Sequence, residues 1–223
     1  MQSPYVGRNS NDMDKSDRKP ECLIISGIDG SGKSTVIAAL AKALEAGGLK
    51  VGCIWLRFNH YITKALHALA RILGLSVRVN NEMGTVWQHR FYKSRAFCKL
   101  YILATYIDTR FSRWKYNRVA KGRDVVICDR WVPDILVDLA TKTHDPAFLD
   151  GKWVSRFLNI LPRDARMFVV TRNTDALRSC RLENRVDPDF SFRLECYGKL
   201  CAKPFVRIID NNGSIENSIN QIL

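Results

Sequence analysis

The stretch Cys22-Leu23-Ile24-Ile25-Ser26-Gly27-Ile28-Asp29-Gly30-Ser31-Gly32-Lys33-Ser34-Thr35 decides the fold. From Gly27 to Ser34 it matches G-x-x-x-x-G-K-[ST], a loop whose backbone amides converge on phosphate oxygens. An apolar run precedes the loop, and Val36, Ile37, Leu40, Ala41 and Leu44 follow it at helical spacing. The glycines therefore join a buried strand to a helix N-terminus, which adds partial positive charge to the cradle. Gly27, Gly30, Ser31, Gly32, Lys33, Ser34 and Thr35 are the expected nucleotide-binding residues. Lys33 is expected to reach the terminal phosphates of ATP and the Ser34 hydroxyl to ligate Mg²⁺.

Outward from the loop, strand-like segments alternate with helical ones. They are Cys22–Ser26, Val51–Leu56, Val125–Cys128, Met167–Thr171 and Val206–Ile209. This pattern predicts a three-layer α/β fold, a five-stranded parallel sheet flanked by helices. A chain of 223 residues suits one such domain, placed here over residues 21–223. Residues 1–20 are polar and charged with little apolar content, and are expected to be a disordered tail. They lack the apolar core of a secretion signal, and no apolar run is long enough to cross a bilayer, so a cytoplasmic protein is expected.

Residues 59–124 form an unusually long connection between the second and third strands. In it Phe97, Leu100, Ala104, Ile107, Phe111 and Trp114 recur at helical spacing, which predicts a long amphipathic helix burying those side chains. Asp108 falls at the edge of that stripe, where a carboxylate needs a partner: a structural cation or a substrate group.

Ligands of open parallel sheets lie beyond the carboxyl ends of the strands. Arg57, Asp129-Arg130, Arg172 and the run from Asp210 to Gly213 occupy those positions. Arg57 and Arg130 then face the crevice of the phosphate loop and are expected to grip an acceptor phosphate. Thr174 opens a further helical segment in which Arg178, Arg181 and Arg185 would share one face, followed by the loop signal Val186-Asp187-Pro188-Asp189. Residues 174–190 are read as a flap that closes its cations over a transferring phosphoryl group.

The net charge of +13 points to anionic partners. Nucleotides, nucleic acid and an anionic membrane all satisfy it, and no nucleic-acid-binding motif accompanies it. A homodimer is left open. The seven scattered cysteines contain no C-x-x-C pair and are expected as reduced thiols; the four histidines show no ligand spacing, so no protein-held transition metal is expected.

Other users of the phosphate loop carry signatures missing here. There is no N-K-x-D guanine signature and no S-G-G-Q-like segment. Arg130 follows Asp129 where hydrolysing ATPases place a second acid, which favours transfer to a bound acceptor. The second strand leads into Arg57-Phe58-Asn59-His60 without a glutamate to deprotonate an alcohol, which suits an acceptor that arrives already ionised.

The loop GIDGSGKST, the strand VVICDRW, the helix entry TDALRSCRLENR, the segment FRLECYGKL and the ending IIDNNGSIENSI together resemble the thymidylate kinase-like branch of the nucleoside monophosphate kinases. The resemblance runs from about residue 21 to the C-terminus. It implies a MgATP-dependent phosphoryl transfer from ATP to a nucleoside monophosphate, with dTMP the expected acceptor. It implies that Asp29 faces the sugar hydroxyl of the acceptor, that Asp129 supports the metal shell, that Arg130 binds the acceptor phosphate, and that the catalytic arginines come from the flap. Two segments depart from the family pattern. Of T-R-E-P-G-G after the second strand only Arg57 survives, and the A-A-D-R-like base-recognition segment is replaced by residues 104–110, Ala-Thr-Tyr-Ile-Asp-Thr-Arg. Phosphorylation of another small acceptor, or nucleotide binding without catalysis, are the alternatives.

Overall fold

The computed structural model of the chain describes residues 19–57, 61–82 and 84–223. The expected polar tail lies outside the described residues except for Lys19 and Pro20, as do Phe58, Asn59 and His60. In chain order the elements begin with β1 (Glu21–Ser26), α1 (Lys33–Ala46), β2 (Val51–Trp55), α2 (Ile62–Ile72), β3 (Ser76–Asn81) and β4 (Gly84–His89). There follow α3 (Arg95–Ala120), β5 (Val125–Asp129), α4 (Val132–Thr143), α5 (Lys152–Leu158) and β6 (Arg166–Thr171). The chain closes with α6 (Thr174–Cys180), α7 (Leu182–Val186), α8 (Phe190–Cys201), β7 (Val206–Asp210) and α9 (Ile215–Asn220).

The five expected strands form one parallel sheet in the order β2-β5-β1-β6-β7. Its central strands are almost continuously apolar because both faces are covered. Leu23 and Ile25 of β1 point into a core shared with Val36, Leu40 and Leu44 of α1 and with Ile222 after α9. Cys22 and Ile24 point to the opposite face, into the core built with Tyr101, Trp131, Leu136 and Leu200. This alternation is the period of two of an extended strand. The order also brings the ends of β2, β5 and β1 side by side, where Arg57, Asp129 and the phosphate loop emerge.

Two expectations fail in the long connection. First, β3 and β4 pair as an antiparallel hairpin separate from the main sheet, with Asn81 opposite Gly84. Its signal in the sequence is short: Val77 and Val79 alternate with polar residues, then Gly84 takes a left-handed φ of 99° at the turn. Second, the helix exists but buries a different face. Phe97 and Ala104 are buried, whereas Leu100, Phe111 and Trp114 are 46%, 52% and 59% exposed. The buried line instead runs through Tyr101, Asp108, Ser112 and Tyr116. Polar residues are tolerated there because each has a partner. Ser112 Oγ accepts the indole N–H of Trp131 at 2.6 Å, and that fully buried ring stacks on Tyr116 with centroids 5.4 Å apart.

Asp108 has its partner too, and it is neither a cation nor placed for a substrate. Its carboxylate accepts the backbone N–H groups of Tyr61, Ile62 and Thr63 at 3.2, 2.9 and 3.0 Å and the Thr63 hydroxyl at 2.7 Å. Those amides are the orphan donors at the start of α2, so a buried carboxylate of α3 caps a neighbouring helix and faces its positive end. We expect Asp108→Ala to lower the unfolding free energy by about 2 kcal/mol, the order of a lost cap with buried donors left unsatisfied. Urea denaturation followed by circular dichroism measures it; a variant as stable as the parent would refute the capping role.

Candidate active site

The phosphate loop takes its shape from glycine. Gly27 and Gly32 adopt φ of 139° and 91°. A Cβ on Gly27 would strike the carbonyl oxygen of Val170, and one on Gly32 the Asn211 side chain. A side chain at Gly27 would have to move the end of β6, and one at Gly32 would have to displace the Asn211 side chain from an already left-handed backbone. Asn211 Nδ2 donates to Ser31 O at 2.7 Å, and Ser218 Oγ donates to Asn211 Oδ1 at 2.9 Å. The loop is thereby buttressed from the segment after β7.

Lys33 is buried inside the loop. Its ammonium donates to Ile28 O at 2.7 Å and reaches Ser31 Oγ at 3.5 Å. Burial, with Arg130 beside it, pulls the Lys33 ammonium down to about 8. Phosphate oxygens arriving beside it would restore the charged form. Ser34 and Thr35 are exposed at the first turn of α1, and with Asp29, Trp55, Arg57, Asp129, Arg130 and Arg181 they bound a cavity of about 340 Å³.

Two arginines dominate this cavity. Arg57 follows β2 and Arg130 follows β5, and both reach the Asp29 carboxylate, Arg57 at 3.1 Å on one oxygen and Arg130 on the other. Arg130 also donates to Gly27 O at 3.1 Å and to Asp134 Oδ1 at 2.5 Å, while Arg57 pairs with Asp138 at 3.6 Å. Asp134 Oδ1 further accepts the hydroxyl of Tyr197 at 2.7 Å. Arg130, Asp134 and Asp138 stand one helical turn apart, so α4 aims its first turns at the loop. Arg130 does this from a positive φ of 65°, unfavourable for a side-chain-bearing residue. Burial works against the Asp29 carboxylate, but Arg130, Arg57 and Lys33 outweigh it and hold it below the usual range.

Asp129 differs from its neighbours. Burial raises its carboxyl, with Arg130 and Lys33 only partly offsetting this, and Oδ1 is buried with no hydrogen-bond partner among the described residues. An unpartnered carboxylate oxygen sharing a cavity with the Ser34 hydroxyl matches the oxygen donors that Mg²⁺ prefers. Among the described residues no cluster of three or more His, Cys, Asp or Glu could hold a metal.

The flap departs from expectation. Arg178, Arg181 and Arg185 do not share a helical face, because α6 ends at Cys180 and Arg181 is extended at φ −140° and ψ 122°. The cause is Asn184: its buried amide donates to Leu177 O at 2.9 Å, the carbonyl that Arg181 N–H would use in a continuing helix, and to Asp29 O at 2.7 Å. Of the three arginines only Arg181 lines the cavity. The Arg178 guanidinium lies over Phe190 at 5.3 Å, and Arg185 Nε donates to Arg178 O at 2.9 Å. Arg172 faces Cys180 rather than the loop.

Asp134, Asp138, Tyr197 and Asn184 carry no expectation from the sequence, whereas Asn211 lies in the run from Asp210 to Gly213 expected at the crevice. The first two were recoverable from their four-residue spacing after Arg130; Tyr197 and Asn184 reach the site only through tertiary packing. A concavity of about 890 Å³ lies at the opposite ends of the strands, edged by Lys19, Arg110, Arg113, Lys121 and Arg163. It is lined by cationic side chains but by none of the phosphate-loop residues.

No protein-family model matches the chain, and no curated protein does. Solved structures do. Thymidylate kinase from Ehrlichia chaffeensis superposes over 92% of this chain and 97% of its own, with a TM-score of 0.55 and 15% identity. The fold is that of the thymidylate kinases. The Candida albicans thymidylate kinase gives 92% and 89% coverage, a TM-score of 0.52 and 17% identity. A thymidylate kinase-like fold is thus kept by a sequence that shares few residues with either.

The buried Asp134 carboxylate is the joint of this site. Asp134→Ala strands a buried guanidinium and a buried phenol, and we expect a loss of about 3–5 kcal/mol. Tyr197→Phe removes one bond to Asp134 and should cost only about 1–2 kcal/mol. Urea unfolding of both variants checks the order; equal costs would contradict a network centred on Asp134.

Proposed function

We propose that this chain is a MgATP-dependent nucleoside monophosphate kinase of the cytoplasm whose acceptor is dTMP, giving dTDP. The observation that carries the reading is the convergence of Arg57 and Arg130 on Asp29 at the mouth of the phosphate loop, in the cavity that also holds Lys33 and Ser34. The thymidylate kinase-like fold and the seven unpaired thiols, which suit a reducing compartment, support it.

The carboxylates around the cavity favour an acceptor that arrives charged. Asp29, Asp134 and Asp138 are each ion-paired to Arg57 or Arg130. Against the effect of burial, the arginines hold the Asp29 and Asp138 carboxyls below their usual range, which makes those two poor proton acceptors for an alcohol. Asp129 keeps an unpartnered oxygen, and with Ser34 it would hold Mg²⁺, which supplies charge neutralisation of the donor phosphates. An acceptor phosphate needs no base. Its oxygen, gripped by Arg57 and Arg130, attacks the γ-phosphorus; the new P–O bond forms as the bond to the β–γ bridging oxygen breaks, and ADP leaves with that electron pair. The loop amides and Lys33 hold the donor. Arg181, with Arg178 and Arg185 beside it on the flap, neutralises charge on the transferring group. Asp29, half-exposed at the rim, is placed to accept a hydrogen bond from the acceptor's sugar.

Arg130→Ala should lower kcat/KM for the monophosphate by about 10³-fold, the order for a cation at a transferring phosphoryl group, with a far smaller change in the KM for ATP. Coupled detection of ADP release across a panel of nucleoside monophosphates and nucleosides measures this. Turnover of thymidine or neutral sugars with no monophosphate used would overturn the reading.

A further inference from the structure

We propose that the cavity enclosed by the β3–β4 hairpin, α4 and the segment after α7 receives the planar base of the acceptor nucleotide, and that the hairpin, not α3, sets base preference. The inference rests on the kinase reading above for where the acceptor phosphate lies.

The family resemblance would place base recognition on residues 104–110 of α3, but their side chains are committed elsewhere. Asp108 caps α2. Thr105 and Thr109 donate to the carbonyls of Tyr101 and Thr105 at 2.8 and 2.6 Å. Tyr106 packs edge-on against Trp153 and Phe157 with centroids 5.8 and 5.5 Å apart, and Arg110 borders the concavity at the opposite end of the sheet. Ala104 is buried and has no polar side-chain atom. Among these residues, none offers a base both a free hydrogen-bonding group and a place beside the phosphate loop.

The hairpin cavity offers both. Its volume is about 320 Å³ and its walls include Val79, Trp87, Val186 and Pro188, the apolar and aromatic lining of small-ligand pockets. Arg71 and Arg78 lie over the Trp87 ring at 4.8 and 5.0 Å and fix its orientation. The lining carries more acid than base, since Glu183 and Asp189 join Asp138 and Asp187 there against Lys142 and Arg193. Asp138 pairs with Arg57, Asp187 pairs with Arg193 at 3.2 Å, and Lys142 donates to the Tyr101 hydroxyl at 2.7 Å. His89 is neutral, since burial, with Lys142 and Arg71 nearby, lowers its imidazolium to about 4. Such a lining rejects a second phosphate and accepts a neutral heterocycle, to which Gln88 can donate its amide N–H while its Oε1 accepts from Arg90 at 3.1 Å; Thr141 Oγ1, like those of Thr105 and Thr109, donates to the carbonyl one turn back.

Position completes the argument. Asp138 lines this cavity and its carboxylate pairs with Arg57, which lines the phosphate cavity. One ion pair therefore separates the two. A molecule with its phosphate on Arg57 and Arg130 would extend its other end past Asp138 toward Trp87. The segment Val186–Asp189 that walls this cavity lies a few residues after Arg181, which walls the other, so one flap borders both ends of the acceptor.

The test uses the full chain and two variants that leave the arginines intact. Trp87→Ala removes the aromatic wall and Val79→Trp fills the cavity, so one empties the pocket while the other adds bulk. Each should raise the KM and the calorimetric Kd of the preferred nucleoside monophosphate about tenfold or more, the order of one lost base–aromatic stack. The KM for ATP, and the weaker binding of ribose 5-phosphate, which has no base, should stay within about twofold of the parent. Monophosphate turnover with parental KM in both variants would overturn the base site and leave the kinase standing. Parental monophosphate binding that both variants lose, without phosphoryl transfer in any form, would uphold the site and overturn the kinase. Neither binding nor turnover in the parent would overturn both.

Discussion

The contact of Arg130 with Asp29, Gly27 and Asp134 is the constraint on which the rest of this site depends. It ties the end of β5 to the phosphate loop after β1 and to the first turn of α4. The backbone bears a positive φ at Arg130 so that this happens. Strain of that kind is of order 1–3 kcal/mol and persists where surrounding contacts over-determine the conformation. Asp134, held also by Tyr197 from α8, supplies much of that determination. Three segments distant in sequence thereby fix the direction of one guanidinium.

From that anchor the functional geometry follows. Arg57 completes the pairing of Asp29 from the next strand, and Asp138 holds Arg57 from the second turn of α4. The result is a pair of preorganised cations whose carboxylate partners are ion-paired, beside Asp129, whose Oδ1 has no hydrogen-bond partner among the described residues. Such a site is suited to a charged acceptor and poorly suited to deprotonating an alcohol. Asn184 and Asn211 brace the loop carbonyls from the flap and from the segment after β7, so the loop geometry depends on elements nearly the whole length of the chain away.

The fold was largely legible because its signals are local and strong. A glycine-rich loop between an apolar strand and an amphipathic helix, and apolar strands alternating with helices, leave few architectures open. The site was legible where it sits at strand ends: Arg57, Asp129 and Arg130 stand in the predicted crevice. It was illegible where tertiary contacts override local pattern. A continuing helix through Arg181 was the expectation from spacing, yet the Asn184 amide takes the carbonyl that such a helix needs. The apolar stripe of α3 pointed to the wrong face because Asp108 and Ser112 are buried with partners from α2 and from Trp131. The β3–β4 hairpin was hidden by strands rich in polar residues and by a turn without a standard signature.

The central claim is that the acceptor is a phosphate. Phosphorus-31 NMR of the protein incubated with ATP, Mg²⁺ and dTMP tests it directly. The account predicts a new nucleoside diphosphate pair of resonances from dTDP growing together with those of ADP. Inorganic phosphate as the only new product, or dTMP formed in a parallel incubation with thymidine while dTMP itself is left unchanged in the first, would contradict it.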